Sequence, residues 1–174
     1  MNFKIGSKVF YPSHGAGWIK GEKEIEFNGE KKRYFEFELI TNLLSISTPV
    51  DNVDNLGIRP VLPKKEIIEK ISILKKNPSL DPKMKDFNLM LNTFKELEES
   101  SSIESSIKII QYCNHVKKIR EMEGRLIPVS IEKQLENAIK NIVGELAVSS
   151  GTSLKSASKN FSDITGIKVE IGKD

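Results

Sequence analysis

Cysteine is almost missing: the chain of 174 residues has one, Cys113, which excludes an internal disulfide framework. Histidine is nearly as scarce. With His14 and His115 alone, a zinc site would need carboxylates for most of its ligands. No apolar run approaches the ~20 residues of a bilayer-spanning helix, and Met1-Asn2-Phe3-Lys4-Ile5-Gly6 lacks the apolar core of a secretory signal. These absences predict a cytosolic protein with no membrane contact, no structural metal and no cofactor. A dominant charge is missing too. Net charge is +3, from 27 basic and 24 acidic residues, with 8 of each sign in residues 1–60 and 15 against 13 in residues 61–150. Charge alone therefore does not point to nucleic acid. A chain 38% hydrophobic and 29% charged has what a soluble protein of one or two small domains needs to bury a core.

What is there falls into two textures that meet near residue 62. From Lys4 to Thr48 residues alternate and glycine interrupts them. Lys8-Val9-Phe10-Tyr11 predicts a short strand ended by the turn Pro12-Ser13-His14-Gly15, and Gly17-Trp18-Ile19-Lys20 resumes extended chain. Glu24-Ile25-Glu26-Phe27 and Arg33-Tyr34-Phe35-Glu36-Phe37-Glu38-Leu39 alternate at period 2 on either side of Asn28-Gly29, the strongest short hairpin signal. Leu43-Leu44-Ser45-Ile46-Ser47 predicts a last strand before Pro49. Strands this short and tightly turned predict a small antiparallel, barrel-like sheet.

Beyond Pro63 the period becomes helical. Ile67, Ile68, Ile71 and Leu74 mark a first stripe; Phe87, Met90, Leu91, Phe94 and Leu97 mark a second, with Asp81-Pro82 as a start signal upstream. Ser101-Ser102-Ile103-Glu104 predicts a capping box opening a helix with Ile103, Ile107, Ile110, Cys113, Val116 and Ile119 inward. After Gly124 and Pro128, Ile131, Leu135, Ala138, Ile142 and Leu146 form a final stripe. The Ser-, Lys- and Gly-rich residues from 150 to 174 predict a flexible tail, ending in the alternating Ile167-Lys168-Val169-Glu170-Ile171. The expected class is α+β: residues 1–62 a sheet domain, 63–149 a compact all-helical domain, 150–174 the tail.

Catalysis needs a nucleophile or acid–base pair at bonding distance. Cys113 and His115 lie two apart on a helix and face roughly 200° away from each other, so they form no dyad. Cys113 reads as a small packed hydrophobe and His14 as a turn residue. Gly15, Gly17 and Gly21 stand between strands, without the helix N-terminus a phosphate loop uses. Trp18 reads as core, and Glu30-Lys31-Lys32-Arg33 as a solvated hairpin shoulder. No enzyme is expected.

The block Phe3-Lys4-Ile5-Gly6-Ser7-Lys8-Val9-Phe10-Tyr11-Pro12-Ser13-His14-Gly15-Ala16-Gly17 resembles the opening of the CarD/CdnL family of bacterial transcription regulators, whose first domain is shared with transcription-repair coupling factor. The likeness continues through Gly29-Glu30-Lys31-Lys32-Arg33-Tyr34-Phe35, Ser47-Thr48-Pro49-Val50 and Val53-Asp54-Asn55-Leu56-Gly57-Ile58-Arg59-Pro60-Val61, without insertion across residues 3–61. It implies a Tudor-like N-terminal barrel that binds the RNA polymerase β subunit by strand addition, at Ile25, Phe27, Leu44, Ile46 and Ser47. It also implies a helical domain touching promoter DNA at the upstream edge of the melted region, and so a cytoplasmic, nucleoid-associated regulator of open-complex stability. Phosphate contacts through Lys83, Lys85, Lys117, Lys118, Arg120 and Arg125 would be salt-sensitive and largely sequence-independent. The sequence departs from the family where it usually carries a wedging tryptophan: Asp86 stands there, beside Phe87, and no tryptophan follows Trp18. Phe87 is either a substitute wedge or a core residue on the stripe with Met90, Leu91 and Phe94. The alternative function is a polymerase- or protein-interaction module without a DNA wedge.

Overall fold

The computed structural model describes residues 3–41, 45–76 and 86–169, leaving aside the side chains of Phe27 and Phe87. Five strands come first: β1 (Lys8–Tyr11), β2 (Gly15–Phe27), β3 (Glu30–Leu39), β4 (Ser45–Pro49) and β5 (Arg59–Pro60). Among the described residues five α-helices follow: α1 (Lys64–Ile71), α2 (Phe87–Ser100), α3 (Ile103–Met122), α4 (Val129–Ser150) and α5 (Leu154–Thr165). The α+β class and the change of texture near residue 62 are thus as the sequence indicates.

All strand pairs are antiparallel, in the order β4-β3-β2-β1-β5. β4 and β5 are the two edges and do not pair with each other, so the expected barrel is an open sheet. It is nevertheless strongly coiled. Three strand spacings would put β1 and β4 about 14 Å apart in a flat sheet, yet the Tyr11 hydroxyl lies 3.2 Å from the Thr48 hydroxyl. Alternation on β3 aims Phe35, Phe37 and Leu39 into the concavity, where Val9, Tyr11, Ile19, Val53 and Ile58 join them. Tyr11 and Phe37 meet edge to face at 5.4 Å, a favourable arrangement of the two ring quadrupoles. At the β2–β3 turn Asn28 and Gly29 take φ of 52° and 81°, the left-handed conformations that make Asn-Gly a hairpin signal.

Helix α4 is the axis of the rest. Every residue from Ile142 to Val148 is buried, on all sides of the helix. Its neighbours explain this: β1 and β2 cover one side, and α1, α3 and α5 cover the others. Helix α3 also buries more than one stripe, adding Ile109 to Ile107 and Ile110. Its expected inward residue Ile119 is instead 41% exposed, because the last turns of α3 run past the core. Ser102 caps α3 by accepting from the Ser105 N–H at 3.1 Å, while Ser101 is the left-handed C-cap of α2. The cap therefore uses Ser102 and Ser105, and Glu104 is left for an ion pair with Lys70 of α1.

The segment expected as a flexible tail contains a docked helix. Ser153 caps α5, Gly166 ends it with φ of 76°, and Ala157 and Phe161 are buried in the helical core. Serine and glycine there are helix punctuation. Leu154, Ala157, Phe161 and Ile164 recur at helical spacing beneath the polar composition. Past α5, the Ser158 hydroxyl donates to the Val169 carbonyl at 2.9 Å, and no strand forms among the described residues.

Candidate functional site

The first candidate surface is the β4 edge. β4 pairs only with β3, so the outer N–H and C=O groups of Ser45–Pro49 have no ladder partner among the described residues. Ile46 stands opposite Phe37, half-buried against the sheet core; Ser47 stands opposite Glu36 and is exposed. These two candidates share the edge. Ile25 does not: it sits on β2 opposite Lys32, beyond the Tyr34–Pro49 pair where β4 ends. Five residues along β3 separate the Lys32 and Phe37 positions, about 17 Å. Phe27 ends β2 opposite Glu30, and Leu44 lies outside the described residues.

The β2–β3 hairpin beyond β4 is guarded differently. Arg33–Glu22 at 3.0 Å, Lys23–Glu36 at 2.8 Å and Lys31–Glu24 at 3.4 Å pair across its strands. Charged side chains along such an extension discourage unplanned pairing with other strands. The basic shoulder Glu30–Arg33 is thus a set of exposed ion pairs.

The second candidate surface is the turn between α3 and α4. Lys117, Lys118 and Arg120 lie on the last turns of α3, and Arg125 lies in the turn. They are not equivalent. The Arg120 guanidinium donates to the Leu126 carbonyl at 3.0 Å and closes the turn, while Arg125 donates to Glu123 at 3.2 Å. Lys118 is exposed, and Lys117 lines a shallow cavity of about 330 Å³ with Cys113, Ile131 and Lys168. Neither lysine forms an ion pair among the described residues. Sequence reasoning missed the apolar side chains beside them: Met122, Leu126 and Val129 are 80%, 91% and 77% exposed. The available signal was a run of large apolar residues within a segment broken by Gly124 and Pro128.

Lys83 and Lys85 lie outside the described residues, as does the side chain of Phe87, the first residue of α2. Asp86 has a definite structural role. Its carboxylate accepts from the N–H groups of Asn88 and Leu89 at 2.8 and 3.0 Å, capping α2. The position where the family pattern places tryptophan is therefore a helix cap here.

Cys113 is fully buried, and that burial pushes its thiol up to about 12, far from the reactive thiolate. His14 packs edge-on against Tyr11, ring centroids 5.0 Å apart. No cluster of three His, Cys, Asp or Glu able to hold a metal occurs among the described residues, and no described helix is long and apolar enough to cross a membrane.

A coiled five-stranded sheet with an open β4 edge leads directly into a helical body. Residues 3–62, which span the whole sheet, match the family model described as the CarD-like/TRCF RID domain. Over 155 residues the chain is 25% identical to a Bacillus subtilis (strain 168) protein named "Putative transcription factor YdeB", which spans 88% of this chain and 95% of that protein. The likeness to that protein thus extends past the sheet into the helices.

Proposed function

We propose that this protein is a transcription regulator that docks on the β subunit of RNA polymerase through β4 and sets its helical body against promoter DNA, modulating open-complex stability. The observation that carries the reading is the unpaired edge of β4 in a CarD-like/TRCF RID sheet. Strand addition draws affinity from main-chain hydrogen bonds and specificity from alternate side chains. Tethering then raises the local concentration of the helical body at the promoter, so a weakly basic surface suffices. Lys117 and Lys118 contact phosphates, Arg120 and Arg125 hold the turn that carries them, and Leu126 and Met122 meet the duplex beside them. Lys83, Lys85 and Phe87 are assigned to DNA as well, on the strength of the sequence resemblance alone. Acting on polymerase places the protein in the cytoplasm, at the nucleoid, with no chemistry of its own.

The test uses two proline variants. Successive residues of a strand direct their N–H groups to opposite sides, so one of Ile46 and Ser47 donates towards β3 and the other outwards. One of Ile46→Pro and Ser47→Pro therefore removes an outward donor while leaving the β3–β4 ladder whole. That folded variant is expected to lose polymerase in a pull-down and to lose its effect on promoter-opening kinetics. Two folded variants with wild-type polymerase affinity would remove β4 as the docking edge.

A second reading, an interaction module that binds polymerase without touching DNA, is favoured by Asp86 serving as a helix cap. Footprinting of the upstream promoter edge with and without the protein separates the two: protection there belongs to the first reading alone.

A further inference from the structure

The junction between sheet and helices centres on an ion pair with a buried carboxylate. Glu145, in the fully buried stretch of α4, has a side chain 1% exposed. Its carboxylate accepts from both terminal nitrogens of Arg59 on β5, at 2.5 and 2.9 Å, and from the Leu62 N–H at 3.0 Å. Arg59 also donates through Nε to the Ser101 carbonyl in the α2–α3 turn, at 3.2 Å, and lies over the Phe10 ring of β1 at 4.4 Å. A single guanidinium thus ties β5, β1, α4 and the α2–α3 turn together. Around it the contact is close-fitting. Phe10, Ala16 and Val148 bury one another, and the Ser149 hydroxyl donates to the Leu62 carbonyl at 2.7 Å. A Cβ on Gly144 would come within 2.8 Å of a Thr41 methyl, so α4 approaches the end of β3 as nearly as glycine allows.

Cohesion alone does not call for this pair. A buried ion pair commonly stabilises no better than apolar side chains of the same volume, because both charges must leave water. What an Arg–carboxylate fork adds is direction, since two parallel hydrogen bonds are satisfied in one relative orientation. We infer that Arg59 and Glu145 are positioning residues that hold the helical body at one fixed angle to the sheet, so that docking at β4 delivers the α3–α4 turn to one place on the promoter. This rests on the function proposed above, but the fixed angle itself does not need that function to be tested.

Spin labels at Asp51→Cys, in the sheet domain, and Lys133→Cys, on α4, report the angle as a distance distribution; the buried Cys113 does not compete for label. The full-length protein is expected to give one narrow distance. Glu145→Gln, still folded by its melting curve, is expected to broaden it. The same variant is expected to keep polymerase affinity within about twofold, since β4 and β5 are opposite edges of the sheet, and to lose its effect on promoter opening by about fivefold or more. Arg59→Lys keeps the charge but not the fork and gives the same readouts should Glu145→Gln fail to fold. A distribution as narrow as wild type in the folded variant overturns the clamp. A broadened distribution with undiminished promoter opening overturns its positioning role. If the wild-type protein binds no polymerase, the functional reading fails, and the distance distribution alone decides whether the clamp exists.

Discussion

The β4 edge and the α3–α4 turn meet their proposed partners through different parts of the chain. At β4 the contact is main chain: N–H and C=O groups that every residue but proline possesses, displayed along the outer edge of a strand paired on one side only. At the turn the contact is side chain: two lysines without ion pairs among the described residues, and apolar groups as exposed as Leu126 at 91%. A backbone edge survives side-chain change as long as its turns hold it in place. A side-chain surface has no such tolerance. This fits a family-model match that covers the sheet, residues 3–62, and stops where the helices begin.

The largest effect sharpens the contrast from the helical side. Phe161 is completely buried in the core shared by α1, α3, α4 and α5. Phe161→Ala is expected to cost about 3–5 kcal/mol, read as a lower urea midpoint at unchanged slope. Truncation after Ser150 is expected to do at least as much damage. A truncated chain as stable as the full one would restore the tail reading of residues 150–174.

The docking test comes next in size. The outward-facing member of Ile46→Pro and Ser47→Pro is expected to weaken polymerase binding about tenfold or more, the loss of one main-chain hydrogen bond plus the steric bulk of the ring. Ser47→Ala, by contrast, should leave titrated affinity within about twofold, because it keeps the N–H. An alanine as damaging as a proline would make β4 a side-chain surface and erase the difference between the two regions.

What could be read from the sequence follows the range of the interactions involved. Alternation on β3, the Asn28-Gly29 turn and the stripes of α1, α2 and α4 are local patterns, and all form as elements, though α1 ends at Ile71 before Leu74 and α2 is capped by Asp86 and not by Asp81-Pro82, which lies outside the described residues. The open edge was half legible: strand content was clear, but whether β4 and β5 close a barrel depends on distant pairing. Helix α5 was hidden because its caps and solvent face are serine and lysine, with Phe161 as its one large buried side chain. The Arg59–Glu145 pair spans 86 positions, beyond any local period. Its trace was a single carboxylate inside the apolar run Ile142–Val148. Met122 and Leu126 were hidden by the opposite expectation, that large apolar residues face inward.

At the α3–α4 turn the expected effects are smaller. Lys118→Gln should weaken the promoter complex by about two- to threefold and flatten its dependence on salt by about one unit of log–log slope, the signature of one lost phosphate contact. Polymerase binding in the absence of DNA should not change. Leu126→Ala should weaken the same complex without altering the salt slope, since no charge is lost. An unchanged slope in Lys118→Gln would place the DNA face elsewhere on the helical body.

The smallest effect belongs to the ion pair that ties α1 to α3. The hydrogen bond from Lys70 holds the Glu104 carboxyl below its usual value of 4.5, and the same bond raises Lys70 above its usual 10.5. The two shifts act at opposite ends of the pH scale. A carboxyl lowered in the folded state contributes stability that is present above its unfolded value and lost as pH falls through the folded one. An amine raised in the folded state contributes stability that is present below 10.5 and lost as pH rises through its folded value. The advantage of wild type over Glu104→Gln should therefore form a plateau around neutrality and shrink towards both acid and strong base. Because the Glu104 side chain is 53% exposed, solvent screens the pair, and the plateau should amount to less than about 2 °C in melting temperature. Melting curves across the pH range check the shape as well as the size. A difference as large in acid below the folded-state value of the Glu104 carboxyl as at neutrality would mean that Glu104 acts by packing on α1 and not by its charge.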